Sequence, residues 1–167
     1  MTAILAFDPG SAKSGWCKVA VTGVRPSLVT LSYVESGEVL STRDAVRSLI
    51  ANSEADVVAI EMLAGIAYPV KGAGIVSALV ASSNVAGMIA ALAYAEGRQV
   101  AEMTATQWRR MVIGKGNASD KAIAQTIPRL VREWPKRSNV HERDAAGLAI
   151  ATAWQMSSRA TKTAVGG

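Results

Sequence analysis

ILAFDPGSAKSGW, residues 4–16, carries the main clue to the architecture. ILAFD (4–8) is a short apolar run that ends on an aspartate followed by Pro-Gly, the pattern of a buried strand that delivers one carboxylate into a turn. Outward from it, WCKVAVT (16–22) and the β-branched stretch from Leu28 to Leu40 keep the strand character, and Gly23 and Pro26 between them predict a reversal into antiparallel neighbours. Ser41 or Thr42 can cap a helix over about 43–52, where Ala45, Val46, Leu49 and Ile50 form one apolar face. VVAIEML (57–63) is a second buried strand, with one glutamate in it. Residues 74–95 read as helix, 100–104 as strand, and about 105–112, 119–133 and 141–157 as helices. Strands first, then strand–helix alternation, predict an α/β domain over 1–158, with a mixed five-stranded sheet flanked by helices. A flexible tail is expected over 159–167.

The chain has 167 residues, half of them apolar and 19% charged, which excludes a disordered protein. One Cys and one His cannot build a zinc cage, and the single Cys17, in an apolar stretch, reads as a small buried hydrophobe. A lone cysteine fits a reducing compartment, and the N-terminus shows no secretory pattern, so the expected location is the cytoplasm. The formal net charge of +5 is unevenly placed. Residues 1–106 carry 7 Lys or Arg against 9 Asp or Glu, whereas residues 107–144 carry 9 against 4. A basic excess confined to the C-terminal third points to a surface for an anionic polymer. The 24 positions from Gly72 to Ala95 lack any charge, which is transmembrane length. SSN (82–84) in the middle and the lack of a basic flank that would mark an orientation instead predict a fully buried helix that also packs on a second subunit, with no membrane span.

Three of the 13 acidic residues stand where a carboxylate is costly. Asp8 ends ILAF, Glu61 interrupts VVAI–ML, and Asp144 opens the apolar run AAGLAIA. Ion pairs or a metal compensate such placement, and Arg143 adjoins Asp144. If the two strands are neighbours and the last helix packs over them, the three acids form an oxygen-rich pocket suited to Mg²⁺ or Mn²⁺. His141 stands three residues before Asp144, on the same helical face, and joins the candidate set. The small residues of DPGSAKSG would let a metal or phosphate approach the backbone, although no Walker pattern is present. WRRMVIGKGNASDK (108–121) supplies cations on a glycine-bearing loop, the means of holding phosphates, with Ser119 also a helix cap.

Taken in order, ILAFDPGSAKSGW, VVAIE, IGKGNASDK and NVHERDAAGLAIA resemble the signatures of RuvC-type Holliday-junction resolvases, spanning residues 4–151. The resemblance implies a ribonuclease-H-like fold, a homodimer, and symmetric nicking of four-way DNA junctions with two divalent ions, Mg²⁺ or Mn²⁺, per site. It makes Asp8, Glu61, His141 and Asp144 the catalytic and metal-binding set. It also implies DNA contacts from Lys121 and from Arg109 or Arg110, beside the Lys115 that the loop itself offers as a phosphate contact. Tyr68, in the divergent loop MLAGIAYPVKG, is the candidate wedge that unstacks bases. Its divergence fits a phage-encoded member acting in a host cytoplasm. The nearest alternative is another nuclease of the same scaffold, acting on other branched DNA or, like YqgF-type enzymes, on structured RNA. A sugar-kinase reading needs two such halves, and this length supplies one.

Overall fold

The structure, a computed structural model, describes residues 1–23, 29–63 and 73–165. Strands β1 (Thr2–Asp8), β2 (Lys13–Thr22) and β3 (Thr30–Leu40) form an antiparallel meander. Helix α1 (Arg43–Asn52) then leads to β4 (Val57–Met62), which pairs parallel with β1. Helix α2 (Ala73–Ala95) returns to β5 (Gln99–Thr104), parallel to β4. Helices α3 (Ala105–Ile113) and α4 (Asp120–Leu130), the short β6 (Val131–Arg132) and helix α5 (Val140–Val165) complete the chain.

The sheet order is β5-β4-β1-β2-β3-β6, six strands where the sequence reading expects five. The extra strand is two residues long and adds to β3 in parallel. It arises because α4 stops at Leu130 instead of continuing to 133, with Pro128 weakening its last turn. Helix α5 departs in the opposite sense: its backbone runs on to Val165, past the end read near 157 and through most of the stretch read as tail.

Strand β1 is apolar on both faces because it lies between layers. Ile4 and Ala6 point into a core shared with α3, α4 and α5, whereas Leu5 and Phe7 point into a second core with α1 and α2. Alternation with a period of two thus sorts the chain into two apolar layers around one sheet. Cys17 is buried in the first core, and burial pushes its thiol pKa far up, which agrees with a packing role.

Helix α2 corrects one expectation. It is long and apolar enough to cross a membrane by length and composition, yet only 33% of that window is buried. Val85, Ala86, Ile89, Ala90, Leu92 and Ala93 pack into the second core. The opposite side presents Val76, Val80, Gly87, Ala91 and Tyr94 to solvent. The helix is therefore half covered rather than fully buried, because only one layer of protein lies against it.

Candidate active site

Strand parity places the first two acids. Ala6 faces Ala59 in the β1–β4 register, and both belong to the core beneath α5. Two residues further along each strand, Asp8 and Glu61 emerge on that same side, at neighbouring strand ends. The turn that follows Asp8 is tied down: Ser41 Oγ donates to the Gly10 carbonyl at 2.7 Å, and the Ser41 N–H donates to the Ala12 carbonyl at 2.9 Å. The start of α5 supplies the rest. Asn139 Oδ1 accepts from the Glu142 N–H at 2.8 Å, stabilising the first turn of a helix whose residues Asp144 to Ala153 are all buried. Gly15, opposite Asp8 in the β1–β2 register, has no room for a Cβ because His141 fills that space. The small residue read as an opening for phosphate or metal instead admits the backbone and Cβ of His141 at the start of α5.

Each acid has a partner of its own. His141 Nδ1 lies 2.6 Å from Asp8 Oδ2, Trp108 Nε1 donates to Glu61 Oε2 at 2.7 Å, and Arg109 Nη2 donates to Asp144 Oδ2 at 2.8 Å. The three carboxylates also sense one another. Burial, then the charge of Asp8, raises the Glu61 pKa from 4.5 to about 7, with Asp144 adding to the rise against the Trp108 hydrogen bond. Burial raises the Asp144 pKa despite the opposing Arg109 guanidinium. The hydrogen bond to Asp8 raises that of His141, whose side chain is 60% exposed.

A cation fits this donor set. Asp144 Oδ1 is buried with no hydrogen-bond partner, and three mutually repelling carboxylates are relieved by positive charge. With each acid turned to its protein partner, no three Asp, Glu, His or Cys groups among the described residues stand close enough to enclose an ion. Arg109 supplies the positive charge at Asp144 in this arrangement.

Two partnerships emerge only from the packing. Arg143, adjacent to Asp144 in the chain, turns away to the Ser138 carbonyl at 2.6 Å, and Arg109 is the acid's partner. Trp108, seen from sequence as one aromatic of a basic segment, is fully buried and holds Glu61. Its place depends on Gly147 of α5, where a Cβ would strike the indole ring. The signal available in sequence was Thr104 followed by Gln107, a capping box that starts α3 and fixes the direction of Trp108 and Arg109. Arg110, Lys115 and Lys121 are exposed; Gly114, at φ 89°, ends α3 and releases Lys115 into the loop. Tyr68 lies outside the described residues.

The family model for "Crossover junction endodeoxyribonuclease RuvC" matches residues 4–153. Among solved structures, Thermus thermophilus RuvC in complex with Holliday junction substrate superposes with a TM-score of 0.73 at 15% identity, covering 96% of this chain and 98% of that one. A second Thermus thermophilus RuvC structure gives 0.66 at 19% identity, covering 92% and 94%. The fowlpox virus Holliday junction resolvase gives 0.57 at 15% identity, covering 92% and 99%. At such identities the structural likeness speaks for the fold, the expected ribonuclease-H-like one. No curated protein matches the chain by sequence. The family match spans every element that carries Asp8, Glu61, His141 and Asp144, and the chain therefore belongs to the RuvC family of crossover junction endodeoxyribonucleases.

Proposed function

We propose that this protein cuts four-way DNA junctions by paired symmetric nicks, hydrolysing one phosphodiester at each of two identical centres. The observation that carries this reading is the convergence of Asp8, Glu61 and Asp144 from two strand ends and one helix start, in a chain of this family. Nucleases of the family generally use divalent ions. Asp8, Glu61, Asp144 and His141 are the residues that would hold two Mg²⁺ or Mn²⁺ ions. Such ions activate water, polarise the phosphate and neutralise the leaving oxygen. The chain's own groups prepare the centre. The Trp108 indole fixes one oxygen of Glu61 and leaves the other free to bind. Arg109 balances Asp144 and, once released from it, has a guanidinium suited to a phosphate. His141, bonded through Nδ1, keeps Nε2 for a ligand or a proton.

Symmetric nicking needs two centres, and the uncovered outer face of α2 supports a homodimer. Val76, Val80 and Tyr94 are 39%, 50% and 65% exposed there, with Gly87 and Ala91 between them allowing close approach. Basic side chains at Arg110, Lys115 and Lys121 make binding salt-dependent. A buried thiol at Cys17 is in keeping with action in the cytoplasm.

Incubating a labelled four-way junction and an equal amount of linear duplex with Mg²⁺ tests the reading. Cleavage confined to the junction, and reduced by about 10³-fold in Asp8→Asn, is expected. Equal cutting of the duplex removes the junction specificity; unchanged cleavage by Asp8→Asn removes the site.

A further inference from the structure

Between α4 and α5 the chain builds a second basic surface, apart from the 108–121 segment. Glu133 adopts a left-handed backbone, φ 61°, just after β6. Beyond it a cleft of about 420 Å³ opens, lined by Pro128, Trp134, Pro135, Lys136, Arg137 and Arg143. A larger cleft of about 580 Å³ shares Pro128 and Trp134 with the first and adds Arg129 and Arg132 to the wall, with Glu133 the one acidic residue there. The two clefts therefore adjoin across the Trp134–Pro128 ridge.

This surface is anchored at both ends. Tyr33 of β3 meets the Trp134 ring edge-on, with centroids 5.7 Å apart. Arg143 ties Ser138 to the first turn of α5. Arg129, Arg132, Lys136 and Arg137 are all exposed, and among the described residues none of the four enters an ion pair. Four cations kept close with one acid in the wall repel one another, an arrangement that favours an anionic partner.

Placement selects the partner. Lys121, Gln125 and Arg129 share the exposed face of α4, so its cations run about 12 Å from the 108–121 loop to the clefts. At the other end, Arg143 of the cleft wall is next to Asp144 of the acidic centre, on an adjacent face of the same helical turn. A helix is about 10–12 Å wide. The cleft therefore lies within a few nucleotides of the acids along one strand. A row of cations leading to that distance from a phosphodiester-cutting centre matches the backbone of a duplex arm better than an isolated anion.

We propose that the double cleft seats the phosphate backbone of the duplex arm entering the acidic centre, a few nucleotides from the scissile phosphate. Arg129, Arg132, Lys136 and Arg137 make the contacts, and Trp134 with Pro128 forms the ridge that fixes the depth of approach. This inference rests on the junction-nuclease reading above. Its test compares the wild type with R129Q/R132Q/K136Q/R137Q, whose unchanged thermal unfolding checks the fold. Binding is measured to a four-way junction, in Ca²⁺, over a range of salt. The slope of log K against log salt is expected to fall by about three, with roughly 10²-fold weaker binding at 0.1 M salt. A junction with methylphosphonates two to four nucleotides from the cut should weaken wild-type binding and leave the variant's binding unchanged. Unchanged affinity and slope in the variant would overturn the proposal and leave the cleft to an acidic protein. A loss insensitive to the methylphosphonates would overturn it too, reducing the patch to long-range steering. If the wild type neither binds nor cuts the junction, the parent reading has failed. The same titration with a linear duplex then still decides whether the cleft holds duplex DNA.

Discussion

Helices α2 and α5 cover opposite faces of one sheet, and the more apolar of the two is the less buried. Helix α2 has no charged residue, yet its outer side stands in solvent. Helix α5 begins with His141, Glu142, Arg143 and Asp144, yet the ten residues from Asp144 to Ala153 are buried without a break. Burial follows how many layers press on a helix, not how apolar it is. Three elements, α3, α4 and the sheet, enclose α5, and that enclosure makes the acids at its first turn expensive and therefore chemically useful. Helix α2 has the sheet and α1 on one side only, and its surplus apolar surface is what a partner subunit would cover.

The contrast can be broken most severely at the ion pair that anchors α5. Arg109→Met leaves Asp144, only 6% exposed, as an uncompensated buried charge. A loss of roughly 3 kcal/mol in urea unfolding at pH 7 is expected, the low end for a buried pair because the Arg109 side chain is 23% exposed. Mg²⁺ should recover part of it; a variant as stable as wild type would mean the enclosure costs nothing.

The pH dependence of the metal-free protein comes next. Glu61 has a raised pKa in the folded state, so its ionised form opposes folding. Its full stability holds below pH 4.5 and is lost as the pH rises to about 7, after which the curve flattens. That interval corresponds to on the order of 3 kcal/mol. The raised pKa values of Asp144 and His141 act in the same direction. Thermal scans between pH 4.5 and 8 should show the decline, and Glu61→Gln should remove most of it. A rise in stability over that range would contradict the electrostatic picture of the site.

Matched substitutions of glycine sharpen the comparison on a smaller scale. Gly147 of α5 has the Trp108 ring against it, so Gly147→Ala should cost about 1–3 kcal/mol by overpacking and slow cleavage through Glu61. Gly87 of α2 has nothing within 4 Å of an added Cβ. There the same change should stabilise the monomer by about 0.5–1 kcal/mol through helix propensity, while light scattering shows weaker dimerisation. Equal effects at the two glycines would erase the distinction between the enclosed and the open helix.

Much of the site was legible because its residues violate local expectation. A carboxylate closing ILAF, another inside VVAI–ML and a third opening AAGLAIA each break an apolar pattern, whereas the β1–β4 register sets Asp8 and Glu61 on one side of the sheet. Nothing local identified Trp108 as the donor to Glu61, Arg109 in place of Arg143 as the partner of Asp144, or Gly15 as the seat of His141. Those pairings join residues 47, 35 and more than a hundred positions apart, and such distances are closed by packing. The sixth strand was hidden because two residues carry no periodicity.

Hydrophobic period and turn chemistry, both local, decide which residues are costly, where elements begin and that helices flank the sheet. Packing alone selects which cation meets which acid, which side of α2 stays open, and where the loop before α5 comes to lie. Those outcomes depend on how many layers converge at a point, a property no single segment of the chain possesses.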